Sequence, residues 1–439
     1  MVRKSSVIAV GAVLATAIAS VTFAAGAGEQ GAAAGPAAST GPTEITLLID
    51  NQSALDGIKA VAAAAEKKLN IKLNFNLRPG GAEGDNLVKT RLVAGDMDDI
   101  SFYNSGSLYL ALNPSKHFVD LSDEPYMRNV IDSFKSTVSV GGKVYAAPVE
   151  GIMAGGWLYN KKAYAALGLK VPKTWNELMA NCEKIKAAGK VAVIASYKDD
   201  WTSQLIVLAD YYNVQAANPN FAADYTAHKA GFSTVPAALR SFEKLQEVQK
   251  RGFLNKDPLA TTYEEALMML LSGDGVHYPM LTFSLSNLKN MDSAKVNDIG
   301  FFAQPGDSAD KNGLTIWMPA GMSIYKNGKN VEAAKKWLAF FLSNEGMEAY
   351  VSAMRPNGPF ALKGFTLPDD VLPGVKDMLP YVDSGKTAPA LEFLSPIKGP
   401  NLPQICVQTG ISLKSPLESA KEYDKDVEKQ AKQLGLAGW

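Results

Sequence analysis

A chain of 439 residues with 47% hydrophobic and 20% charged content has enough apolar material for two domains with real cores. Lys plus Arg and Asp plus Glu both number 44, a zero net charge that argues against a nucleic-acid groove or a polybasic membrane patch. The scattered His117, His228 and His277, and two Cys without close Cys or His partners, argue against a zinc site.

The chain opens with Arg3 and Lys4, an apolar run from Val7 to Ala19, and small residues that offer cleavage after Ala27 or Ala24. This is the layout of an export signal, with an uncleaved anchor as the alternative. Residues 1–27 are therefore read as a signal peptide and 28–43, rich in Ala, Gly, Ser and Pro, as a flexible linker. The Gly-x-Gly-x-x-Gly match from Gly26 to Gly31 lies in this region with no strand before it, so it is no nucleotide site. No cofactor is expected.

Glu44 to Ile49 has a strand pattern, and Ser53-Ala-Leu-Asp56 resembles a capping box before a helix faced by Leu55, Ile58, Ala62, Ala65 and Leu69. Ile71, Leu73, Phe75 and Leu77 then alternate as in a strand. A helix from about Asp85 to Ala94 and a strand from Asp99 to Tyr103 follow. Asp98 and Asp99 are not a catalytic pair, because neighbouring strand residues point to opposite faces. After "KVYAAPVE", a second α/β unit follows, with "KVAVIAS" as its strand. Later come a strand ending near Phe283, extended chain through Trp317, a helix with Ala334, Trp337, Leu338 and Phe341 on one face, and a charged amphipathic end from Leu413 to Leu434. Thr174-Trp-Asn-Glu177 reads as a capping box, which puts Trp175 in the first turn of a scaffold helix. Cys182 shares that helix's apolar face and reads as a buried thiol, with a Cys182–Cys406 disulfide as the alternative.

Alternating strands and helices describe open sheets, whose ligands bind beyond the strands' carboxyl ends. Those ends carry Asp50, Asn51 and Gln52, then Asn104 and Ser105, then Glu150, and in the second unit Asp199, Asp200 and Trp201. Amides, hydroxyls, carboxylates and an aromatic stand where a nucleotide site would have a glycine loop. A ligand held between two domains is the expectation.

Several segments resemble the extracellular solute-binding proteins of bacterial ABC importers, in the carbohydrate-binding group. "GGKVYAAPVE" is similar to a Gly-Lys-x-Tyr-x-x-Pro strand, and "LYNKKAYAALGLKVPKTWNELMANCEKIKAAG" to the group's Tyr-Asn-Lys, Gly-Leu and Pro-x-Thr-Trp stretch. "LVAGDMDDISF" resembles its Ala-Gly-x-x-Pro-Asp turn, with Asp98 in place of Pro. "SGDGVHYPMLTFSL" resembles the segment before a Gly-Ser-Trp triplet, here Leu281-Thr282-Phe283, and "NGKNVEAAKKWLAFFLSNE" a helix that recrosses between lobes. The resemblance runs through most of residues 44–439 in the group's order, and no lipid-bearing Cys precedes Cys182.

The resemblance implies a two-lobe periplasmic-binding-protein fold of α/β class, type II-like, each lobe an open sheet flanked by helices with the ligand cleft between. Lobe 1 would comprise 44–153 and 276–320, lobe 2 154–275 and 321–439, with crossings near 150–156, 275 and 320. It implies a carbohydrate ligand, permease subunits as membrane partners, no nucleic acid, no catalysis, and a periplasmic monomer. Sugars need carboxylates and amides for hydroxyls and aromatic faces for C–H patches. The resemblance places a stacking aromatic at Trp201, beside Asp200. Glu150 either binds ligand or links the lobes by a salt bridge, and Asp50, Asn51 and Gln52 either bind hydroxyls or cap a helix. Asn104 and Ser105 bind or make a turn, Phe283 and Trp317 wall the cleft or pack in the core, Trp157 packs at the crossing or touches ligand, and Arg355 faces cleft or solvent. The rival is an exported glycoside hydrolase using Glu150 and Asp199. The same fold with a non-sugar solute is a third reading.

Overall fold

The computed structural model describes residues 41–439; the expected signal peptide and linker residues 28–40 lie outside the described residues. Thr43, placed in the linker by sequence, already pairs in the first strand.

The chain starts as β1 (Thr43–Asp50), α1 (Asp56–Leu69), β2 (Ile71–Arg78), α2 (Gly81–Ala94) and β3 (Ile100–Tyr103). β1 pairs in parallel with β2 from Thr43 opposite Ile71 to Asp50 opposite Arg78, and on its other edge with β3. Parallel pairing sends all three carboxyl ends to one rim. The expected capping box at Ser53 does not form. Asp50 takes Ser53 Oγ at 2.7 Å and Gln52 N at 3.1 Å, which holds Ser53 in a turn, and the helix begins at Asp56 without a side-chain cap. Asp98 pairs with Arg91 and Asp99 accepts from Thr46 N, so these two carboxylates serve the fold separately.

β4 (Ala147–Pro148) precedes a crossing into β5 (Met153–Asn160), the centre of a second sheet. α3 (Trp175–Ala187) carries the expected capping box between Thr174 and Glu177, and buries Trp175, Leu178, Met179, Cys182 and Ile185. β6 (Val191–Val193), β7 (Gly275–Leu281), β8 (Ile299–Ala303) and β9 (Leu314–Trp317) continue the second sheet. The chain then returns as β10 (Gly321–Ile324) to the first sheet, and β11 (Thr387–Pro389) closes the second. The orders are β2-β1-β3-β10-β4 and β11-β9-β5-β7-β6, with β8 also on β5.

This corrects two expectations. Residues 276–320 do not belong with 44–153: β7 pairs with β5 from Gly155 opposite Leu281, β9 joins β5, and their side chains fill the core of the second lobe. Residues 321 to 362 belong to the first lobe, where Met322, Trp337, Leu338 and Phe341 are buried with Leu47 and Phe102. Period-two alternation marks a strand but carries no address of the sheet it joins. Nor does the chain cross near 275, since Val276 packs with the second lobe on both sides of that point. The chain does cross near the other two expected points, between Val149 and Met153 and between Trp317 and Gly321, and it crosses a third time after Leu362.

At the first crossing the two lobes' connections press backbone to backbone. Ile152 N donates to Pro359 O at 2.6 Å, and a Cβ on Gly358 would stand 1.9 Å from Ile152 O. Both cysteines are buried and free. Among the described residues no helix is long and apolar enough to cross a membrane.

Candidate ligand-binding site

A cavity of about 330 Å³ lies where the carboxyl ends of the first sheet face the second lobe. Asp50, Gln52, Arg78, Asn104, Ser105 and Glu150 line it from the first lobe. Trp201, Gln204, Phe283, Asn287, Trp317, Glu392, Lys398 and Gln404 line it from the second. Strand direction explains the first set, because β1, β2 and β3 each end at this rim.

Two tryptophans form its aromatic walls. Trp317 lies at the end of β9 directly on Gly155 of β5, and its Nε1 donates to Glu392 Oε1 at 2.5 Å. The other Glu392 oxygen accepts from Lys398 Nζ at 2.6 Å, so that lysine is neutralised inside its own lobe. Trp201 sits on a short 3₁₀ turn, Asp200–Gln204, with Tyr263 and Phe283 at 5.3 and 6.0 Å between ring centroids. Its Nε1 donates to Gln52 Oε1 of the first lobe at 2.9 Å.

The carboxylates differ in state. Glu150 is 9% exposed and has no salt-bridge partner among the described residues. Burial pushes its carboxyl up to about 7, and the nearby charge of Asp50 adds to the shift. Asp50 is engaged by Gln52 N and Ser53 Oγ. Asp200 is shifted upward by burial and accepts from Gln404 Nε2 at 2.6 Å. Four lining side chains keep a buried polar atom without a protein partner: Arg78 Nε, Gln204 Oε1, Asn287 Oδ1 and Gln404 Oε1. Such atoms are costly unless something pairs with them.

The sequence candidates divide. Asp50, Gln52, Asn104, Ser105, Glu150, Trp201, Phe283 and Trp317 come together around the cavity, although Ser105 spends its hydroxyl on Pro319 O at 2.8 Å. Asn51 is exposed and extends the β1–β2 ladder by donating its N–H to Arg78 O. Asp200 stands behind the wall, against Gln404. Trp157 is fully buried in the second lobe, stacked on Phe302 at 6.3 Å and bonded to Gln304, because β5 is covered on both faces. Arg355 pairs with Asp370 at 2.6 Å away from the cavity. There is no lobe-linking salt bridge at Glu150 among the described residues.

Sequence reasoning missed Arg78, Gln204, Asn287, Glu392, Lys398 and Gln404. Arg78 had a signal, since it ends β2 as Asp50 ends β1. Glu392 and Lys398 follow the crossing after Leu362, in chain with no periodic pattern to place it.

Residues 50–348 match the family model described as bacterial extracellular solute-binding protein. The chain is 25% identical over 288 residues to the "Multiple sugar-binding protein" of Streptococcus mutans, covering 63% of this chain and 66% of that one. It is 22% identical over 309 residues to the "Melibiose/raffinose/stachyose-binding protein MelE" of Bacillus subtilis, covering 66% and 68%. Among solved structures, a "Chitin oligosaccharide binding protein" superposes with a TM-score of 0.76 at 19% identity, covering 89% of this chain and 99% of that one. "SBP RafE in complex with raffinose" gives a TM-score of 0.74 at 20% identity, covering 88% and 99%. The two-lobe α/β architecture is common to them. With the family model spanning more than half of its length, the chain belongs to the bacterial extracellular solute-binding proteins.

Proposed function

We propose that this chain is the exported binding component of an ABC importer, capturing a mono- or oligosaccharide between its lobes and delivering it to membrane permease subunits. One observation carries the reading. Two tryptophan walls, Trp201 and Trp317, enclose a cavity whose rim offers carboxylates and amides, several with unpaired polar atoms. Flat aromatic faces suit the C–H patches of a pyranose, and the unpaired groups suit its hydroxyls. The sugar-binding names of the relatives support the same ligand class. On this reading Trp201, Trp317, Glu150, Asp50, Asn104 and Phe283 contact the ligand, and closure buries it from both sides. The protein acts as a periplasmic monomer after removal of residues 1–27, without cofactor or nucleic acid.

Binding without turnover is favoured over hydrolysis by the state of Asp199. Its Oδ1 accepts from Gln52 Nε2 at 2.8 Å and its Oδ2 from Tyr263 N at 2.7 Å, so both oxygens of the carboxylate that the hydrolase reading pairs with Glu150 are held within the protein. Titration calorimetry against a panel of mono- and oligosaccharides tests the reading. Stoichiometric binding with the sugar recovered intact is the expected result. No binding across the panel removes the carbohydrate assignment, and released products would restore the hydrolase.

A further inference from the structure

Gln52 stands on the turn after β1, in the first lobe, and its side chain is used from both ends by the second. Nε2 donates to Asp199 Oδ1 at 2.8 Å, and Oε1 accepts from Trp201 Nε1 at 2.9 Å. Its main-chain oxygen accepts from Asn287 Nδ2 at 2.8 Å. Gly80 lies beneath it so closely that a Cβ there would stand 2.3 Å from Oε1, and Gly81 would meet Trp201 Cδ1 at 3.3 Å. The amide is therefore pressed between the tip of β2 and the second lobe.

An indole has a single donor, so whatever accepts from it sets the ring's orientation. The two walls of the cavity obtain that acceptor in different ways. Trp317 finds Glu392, in its own lobe, and stays oriented wherever the first lobe stands. Trp201 finds Gln52, across the cleft, and has this acceptor only when the lobes are together. Only a side chain carrying a donor and an acceptor satisfies Asp199 and Trp201 at once. A carboxylate in its place would face Asp199 with like charge, and an aliphatic group would leave both unpaired.

We propose that Gln52 is a positioning residue that couples lobe closure to the orientation of the Trp201 wall, through a bond pair that forms between the lobes as they meet. The inference rests on reading the cavity as the ligand site. Trp317 is then the preset platform, and Trp201 the wall that is set in place as the lobes meet.

Three variants test it: Gln52→Leu, Gln52→Glu, and Gln52→Glu combined with Asp199→Asn. The last exchanges donor and acceptor across the cleft while keeping the acceptor for Trp201. Small-angle scattering of the ligand-free proteins should show Gln52→Leu and Gln52→Glu with a larger radius of gyration than wild type, and the double variant restored toward it. With a sugar from the calorimetric panel, stopped-flow tryptophan fluorescence should show at least tenfold faster dissociation for Gln52→Leu, with association changed less than threefold. The double variant should recover most of the loss seen in Gln52→Glu. Unchanged scattering and dissociation in Gln52→Leu would overturn the proposal, as would a double variant no better than Gln52→Glu alone. If wild type binds no saccharide, only the carbohydrate reading falls, because scattering and the double variant test the coupling without ligand.

Discussion

Gly155 lies so close beneath Trp317 that a Cβ on it would stand 2.3 Å from the indole Cζ3. The glycine is what allows the ring to approach β5 this closely while its Nε1 reaches Glu392. Gly155→Ala should lift the ring off the strand and break that bond, because packed interiors do not absorb such an overlap without movement. Sugar affinity should fall about tenfold, equivalent to about 1.4 kcal/mol. Calorimetry of Gly155→Ala beside Trp317→Ala checks this, and affinity equal to wild type in the glycine variant would contradict it.

Two of the three tryptophans that sequence reasoning weighed for ligand contact should separate by experiment. Trp157 is fully buried against Phe302 and Trp175, so Trp157→Ala should cost about 3–5 kcal/mol of stability. Its surviving folded fraction should keep its sugar preference. Trp201→Ala should do the reverse, with affinity down about tenfold to a hundredfold and a small change in the urea midpoint. Urea unfolding paired with calorimetry on both variants decides, and a stability loss confined to Trp201→Ala would reverse the assignment.

Glu150 gives the protein a pH dependence of defined sign. Its folded carboxyl is raised from 4.5 to about 7 by burial, next to Asp50. Between those values the unfolded chain has released the proton while the folded one retains it, so stability falls as pH rises. This group's contribution is lost between about pH 4.5 and 7, on the order of 3 kcal/mol in total. Glu150→Gln should therefore flatten the fall in thermal midpoint between pH 5 and pH 8. Parallel slopes for variant and wild type would show that the carboxyl is already ionised at pH 5.

The two thiols should be silent in the native protein. Cys182 and Cys406 are buried and in no disulfide, and burial pushes both thiols above their usual range. An aromatic disulfide reagent should react with neither on the time scale on which it labels the urea-unfolded chain, and a reductant should leave the thermal midpoint unchanged. Fast labelling of one thiol without denaturant would mean that its helix opens locally.

How far the sequence was legible follows from where the information resides. Local signals were sound: the box at Thr174 and Glu177 forms as its spacing requires, and the strands expected from Glu44 and from Ile71 form as β1 and β2. Wherever a neighbour from far along the chain decides, local pattern failed. Ser53 has a capping residue's chemistry, yet Asp50 captures its hydroxyl. Leu77 keeps the alternation of β2 but is 58% exposed, on the edge strand of its sheet. Trp157 and Trp317 are both tryptophans on strands of the same sheet, and only the end of β9 at the rim distinguishes wall from core. Strand ends were therefore the productive guide, and Arg78 was missed only because that guide was not applied to β2.

The return of β10 to the first sheet also governs the order in which the protein can be completed. β10 lies between β3 and β4, and both are made long before it. Until residue 324 has emerged, β3 keeps an unpaired inner edge and the first core lacks Met322, Trp337 and Phe341. An amino-terminal fragment ending before β10 would therefore present an open, apolar sheet edge, the kind of surface that pairs with other chains. The first lobe is begun first and finished late. The second-lobe strands from β5 to β9 are made in the interval, and the chain then comes back to close what it started with.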